Sequence, residues 1–123
     1  MNIRIFVPKT RSLAQIWNKQ LFFEYRKYDS LHVREIDEDL KFQVLPKESS
    51  QGLVGMVYES KSVKFDFQLN TNSEVKNYKL TGRQLDVTRY CKFGIAAPIF
   101  KKDTDKIIAV VTFDSEIEIE HPS

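Results

Sequence analysis

Cysteine occurs once in these 123 residues, at Cys91. A single thiol cannot close an intramolecular disulfide, and a redox cycle through it has no resolving partner in the chain. Histidine occurs twice, at His32 and His121. Zinc takes three or four protein ligands, and no close His/Cys cluster supplies them, so no metal site is expected. Two histidines give no Ser-His-Asp ordering above chance, and nothing else in the chain supports a haem on His32. No run approaches the ~18 apolar residues of a membrane span, which argues against direct membrane insertion. The opening "MNIRIFVPKT" lacks the apolar core and small-residue cleavage site of a secretory leader, so a cytoplasmic location is expected. The formal net charge is only +2, and lysines alternate with acids instead of forming a basic stripe. That pattern belongs to a solvated surface and gives no footprint for nucleic acid.

What the chain does have is the makings of one strand-rich core. The length is that of a single domain over residues 1–123, which is also the size of a segment of a longer signalling protein. Nine Phe and five Tyr against one Trp favour strands. "NIRIFVP" alternates Ile3, Ile5 and Val7 with Asn2 and Arg4 and ends at Pro8, which predicts a strand. "RSLAQIWNKQL" spaces Leu13, Ile16, Trp17 and Leu21 helically behind a Ser12/Gln15 capping box. "LFFEYRKY" returns to strand character, "REIDEDLK" is a charged crossover, and "FQVL" before Pro46 is a short strand. "SSQGLVGMVYESK" predicts a short helix with serine caps, weakened by Gly52 and Gly55, whose use would be close packing.

"SVKFDFQL" alternates Val63, Phe65 and Phe67 against Lys64, Asp66 and Gln68, the pattern of a half-buried strand. "NTNSE" is a loop by composition. "LTGRQLDVTRY" begins a helix with a Thr81/Gln84 capping box and a Leu80/Leu85 staple. The end of the chain is a hairpin, "FGIAAPIF" and "KIIAVVTFD" around the charged turn "KKDTD". The second strand is apolar enough to be covered on both faces. Pro98 cannot donate to a ladder and marks a bulge or unpaired stretch. "SEIEIE" sets Ile117 and Ile119 against three glutamates, a guarded strand end or a lead into another segment. Hairpins with helices stacked on one face predict an α+β domain around an antiparallel central sheet of about five to six strands.

Four stretches in order resemble the GAF domain, a ligand-sensing module related in fold to PAS. "IRIFVP" resembles its first core strand and "SSQGLVGMVYESK" its "GxGlvGxvyxsg" helix. "YKLTGRQLDVTRYCKFGIAAPIF" resembles the short helix leading into the "sxlxxPi" strand. "DKIIAVVTFDS" resembles "gkviGvLnlDS", with Asp114–Ser115 as the DS ending. Gln51 stands where a glycine is common, Ala109 replaces another, and the family's long flanking helices, which commonly carry dimerisation and output, have no counterpart in this sequence.

The resemblance implies a GAF-like sensory or regulatory domain with no catalytic residues. It would bind an unidentified small molecule between sheet and helices and transmit its occupancy to a partner or output domain, with a homodimer left open. It places Phe65, Phe67, Tyr78, Leu85, Thr88 and Ile95 near that pocket, with Arg83 and Arg89 beside it as groups that could meet an anion. Each of the six is equally explicable as core, and the two arginines as solvated helix residues. No cofactor is implied: bilin-binding cysteines are typically followed by histidine, and Cys91 is followed by Lys92. The Asn-Lys…Phe…Asp-Glu signature of cyclic-nucleotide binders does not align with Asn18–Lys19. The alternatives are a GAF-fold dimerisation or interaction module without ligand and, last, a redox enzyme or chromophore carrier using Cys91. The plainest reading of that cysteine is a small buried hydrophobe at a helix–strand junction.

Overall fold

The computed structural model describes residues 2–26, 40–71 and 78–116. Six strands form one antiparallel sheet: β1 (Asn2–Pro8), β2 (Leu21–Tyr25), β3 (Lys41–Leu45), β4 (Lys64–Asp66), β5 (Phe93–Phe100) and β6 (Ile107–Ser115). Their spatial order is β3-β2-β1-β6-β5-β4. The first and last strands are therefore neighbours at the centre, each flanked by a hairpin partner. Among the described residues the α+β architecture includes three short α-helices, α1 (Leu13–Trp17), α2 (Gly52–Ser60) and α3 (Gly82–Thr88), and a 3-10 turn at Lys47–Ser49.

Register makes the two faces chemically different. On the face covered by α2, Phe6 pairs with Tyr25 and Val110, and Phe23 with Phe42. Phe6, Phe23, Val44 and Val110 are buried there beneath Val54 and Val57 of α2. Each such side chain taken from water contributes about 1.5–3 kcal/mol. T-shaped ring contacts of Phe6 with Phe42 (5.3 Å) and of Phe23 with Tyr58 (5.5 Å) lock the same layer.

The far face carries the row Ile3–Phe113–Ile95–Phe65 across four strands. Ile3 and Phe65 keep 54% and 56% of their surface in contact with water. In both β1 and β4, then, the alternation read from the sequence is present but the other set is covered: Arg4 and Asp66 are buried while Ile3 and Phe65 are not. Alternation defines two faces without saying which of them the helices will cover. Strand β6, apolar at nearly every position, is buried on the covered face at Val110 and Asp114 and on the far face at Ala109 and Ser115, while Val111 and Phe113 between them are half-buried.

The cap signals are realised at two helices. The Ser12 hydroxyl accepts from Gln15 N–H and the Gln15 side chain accepts from Ser12 N–H, at 3.2 and 2.9 Å. Thr81 N–H donates to the Gln84 side chain at 2.9 Å. At α2 the expected serine cap is absent: the N-cap is Gln51, whose side chain bonds elsewhere. Pro98 stays paired, opposite Val110, and the bulge falls just after it, between Ile99 and Phe100. The crossover 34–39, most of "NTNSE", both histidines and residues 117–120 of "SEIEIE" lie outside the described residues.

Gly52 opens α2 at φ +61°, with its N–H donating to Tyr78 O at 2.9 Å. A Cβ there would stand 3.2 Å from both Phe42 Cε1 and Leu80 Cδ2. Gly52→Ala is expected to lower stability by about 1–3 kcal/mol, combining left-handed strain with overpacking. The urea midpoint of unfolding reads this directly.

Candidate functional site

The covered face is apolar at one end and polar at the other. Two cross-strand rows make the polar end: Asn2–Asp114–Gly94–Asp66 and Arg4–Thr112–Ala96–Lys64. Arg4 Nη1 donates to Asp114 Oδ2 in an ion pair whose side chains are 2% and 10% exposed, and Asn2 Nδ2 donates to Asp114 Oδ1 at 3.1 Å. The Tyr78 hydroxyl donates to Asp66 Oδ2 at 2.5 Å. Burial first, then this hydrogen bond and the carboxylate's charge, push the Tyr78 pKa well above its ordinary value of 10.0.

Between this end of the sheet and the helices lies a cavity of about 60 Å³. Its floor includes Arg4, Phe6, Gly94, Thr112 and Asp114, and its walls come from α2, from Leu69, Tyr78 and Leu80, and from Val87, Thr88 and Cys91. The space has room for a handful of waters and is well short of the ~300–1,000 Å³ of clefts that take drug-sized ligands. Gly94 lets the wall approach: a Cβ on it would fall 2.6 Å from Leu69 Cδ2. Cys91 is buried, with its thiol donating to Val87 O at 3.3 Å.

A glutamine cluster holds the helices over this end. Gln51 Oε1 accepts from Gln43 N–H and Gln84 Nε2, both at 2.9 Å, while Gln51 Nε2 donates to Lys79 O at 3.0 Å. Gln84 Nε2 also donates to Lys41 O at 2.7 Å. Strand β3, the start of α2, the segment before α3 and α3 itself thus share two side chains. Gln51 occupies the position where the resemblance leads one to expect glycine.

Comparison of the chain with protein-family models, with curated proteins and with solved structures gives no match.

Of the residues singled out from the sequence, Tyr78 and Thr88 border the cavity, and the Thr88 hydroxyl is occupied in donating to Gln84 O at 2.8 Å. Ile95 borders it through its main chain, because the pleat aims its side chain to the far face with Phe65. Phe65 and Phe67 are on that far face, in ring contact with each other at 5.4 Å, and Phe67 with Phe93 at 5.1 Å. Leu85 does not border the cavity, Arg83 is exposed, and Arg89 is exposed beside Asp86 at 3.5 Å. The sequence reading missed Arg4, Asp66, Asp114 and the glutamine pair. Arg4 and Asp114 are joined across 110 positions, a separation at which no local pattern signals a partner.

Removing one member of the buried pair strands the other. Asp114→Ala is expected to cost about 3–5 kcal/mol, and the double replacement Arg4→Met with Asp114→Leu much less, as chemical unfolding would show. For Tyr78 the sign follows from its raised pKa: above pH 10.0 the unfolded chain loses the tyrosine proton while the native hydroxyl keeps it. The unfolded state then binds fewer protons, so the contribution is complete below pH 10.0 and stability declines as pH rises beyond it. Tyr78→Phe should remove that part of the alkaline decline in pH-dependent unfolding curves.

Proposed function

We propose that this chain is a non-catalytic regulatory domain of GAF-like architecture that takes a ligand of a few heavy atoms into the cavity between sheet and helices. The observation that carries the reading is the convergence of Arg4, Thr112, Asp114, Tyr78 and Thr88 on a largely apolar space. A few placed polar groups in an apolar enclosure are the general pattern of small-molecule sites. The stretch that carries the GAF resemblance most fully, "DKIIAVVTFDS", also supplies Thr112 and Asp114 of the floor. A ligand seated there would meet the ion pair that joins β1 to β6, and it would shift the domain between conformers only by preferring one of them.

A second reading has its own support. The β1–β6–β5–β4 part of the far face presents Ile3, Ile5, Val111, Phe113, Ile95 and Phe65 with no charged side chain among its paired positions. Two copies could meet there without like-charge repulsion, as in a dimerisation module.

Native mass spectrometry of freshly purified protein separates the two. The sensory reading predicts a small retained mass that is lost on Thr112→Leu, which fills the floor while leaving the fold intact by circular dichroism. A bare chain mass at all source energies overturns it. A doubled mass with nothing retained, reverting to single on Phe65→Asp, replaces it with the dimerisation module.

A further inference from the structure

The connection between β1 and β2 presents apolar side chains outward. Leu13, Ile16 and Trp17, at i, i+3 and i+4 of α1, are 87%, 53% and 88% exposed, and α1 has no buried residue. A five-residue helix is far below the ~12–15 residues at which helices become marginally stable alone. Its ends hold it: the Ser12/Gln15 box at the start, and at the finish Gln20 N–H donating to Gln15 O and Lys19 N–H to Ile16 O, with Lys19 at φ +56°. That is a Schellman closure. The stripe is therefore a built feature on a capped turn, facing water.

Its surroundings are basic. Antiparallel pairing brings the end of β1 and the start of β2 to the same end of the sheet as the β5–β6 turn, and Pro8, Arg11, Leu21, Lys106 and Ile107 line one groove there together with the ion pair of Lys61 and Asp105 at 2.7 Å. The α1 connection contributes Lys9, Arg11 and Lys19 with no acid before Glu24. The turn adds Lys101, Lys102 and Lys106 against Asp103 and Asp105. Six cations against two acids make a local charge of +4 in a chain of net +2, so everything else sums to −2. Phe100 and Ile108, flanking the turn, are 38% and 41% exposed.

We infer that this end of the domain docks peripherally on an anionic lipid surface, with α1 lying at the headgroup level. Three features favour lipid over a protein partner. Tryptophan is enriched at membrane interfaces. Clustered basic residues gain affinity for acidic headgroups, about fivefold per Lys or Arg. Five of the six cations are lysine, which protein–protein interfaces deplete. No helix among the described residues is long and apolar enough to cross a bilayer, so α1 lies on the surface and spans nothing.

Trp17 is the only tryptophan and reports on its own burial. The 123-residue chain is titrated with vesicles of phosphatidylcholine and phosphatidylserine in a three-to-one ratio, and with phosphatidylcholine alone. Docking predicts that Trp17 emission moves to shorter wavelength and that the protein cosediments with the acidic vesicles only, both weakened by salt. Leu13→Ser should reduce cosedimentation about tenfold, and Lys9→Glu with Lys19→Glu at least as much. All these positions lie outside the core, and circular dichroism verifies that the variants stay folded. Absence of binding to acidic vesicles overturns the inference, as does equal binding to neutral ones. Cosedimentation without a change at Trp17 overturns it by placing the contact elsewhere. Trp17 emission already shifted in buffer alone also overturns it, since another protein surface, a second copy included, would then cover α1.

Discussion

The Arg4–Asp114 pair ties the first strand of the sheet to the last, and much of the architecture depends on keeping these two charges together away from water. Burying either alone costs several kcal/mol, whereas burying both in contact can come close to balance. Because side chains alternate along a strand, a one-residue slip of β1 against β6 would carry one of the two to the opposite face. The pair therefore reinforces the central register from which the outer strands grow, β2 and β3 on one side and β5 and β4 on the other.

The same pair explains why the covered face is polar at one end. Asp114 lies in a row with Asn2, Gly94 and Asp66, and each carboxylate on that row has a donor: Arg4 and Asn2 for Asp114, Tyr78 for Asp66. With Gly94 between the two aspartates, the Leu69 side chain can settle over the strand. The cavity is what remains where this satisfied polar end meets the apolar packing of α2. Gln51 and Gln84 hold α2 and α3 above it through hydrogen bonds that reach β3. Closure over the site thus depends on side-chain amides more than on helix length.

Much of the local structure could be read from the sequence, because caps, turn residues and alternation act over a few positions. Ser12/Gln15 and Thr81/Gln84 marked two helix starts, and "KKDTD" marked the hairpin. The orientation of β1 and β4 could not be read the same way. "IRIFVP" and "VKFDF" alternate cleanly, yet Arg4 and Asp66 go inside and Ile3 and Phe65 outside. Hydrophobicity alone assigns them the other way, and the partners that make burial of the charges tolerable come from elsewhere in the chain. The pocket positions followed suit. Tyr78 and Thr88, on the segments that pass over the sheet, border the cavity as the resemblance implies, whereas Phe65 and Phe67 lie on the far face because Asp66 takes the inward position of that strand.

Composition and short-range pattern by themselves determined an α+β fold, an antiparallel sheet, the capped starts of α1 and α3 and, with one cysteine in these residues, the absence of a disulfide within them. These depend on backbone preferences and on interactions a few residues apart. Tertiary structure alone decided which face of the sheet is covered, that Arg4 meets Asp114, that Gln51 is a junction between elements, and that α1 turns Leu13 and Trp17 to water. Each of these depends on contacts between residues distant in the chain, or on their absence, and a charge can enter a core only where the fold brings it a partner.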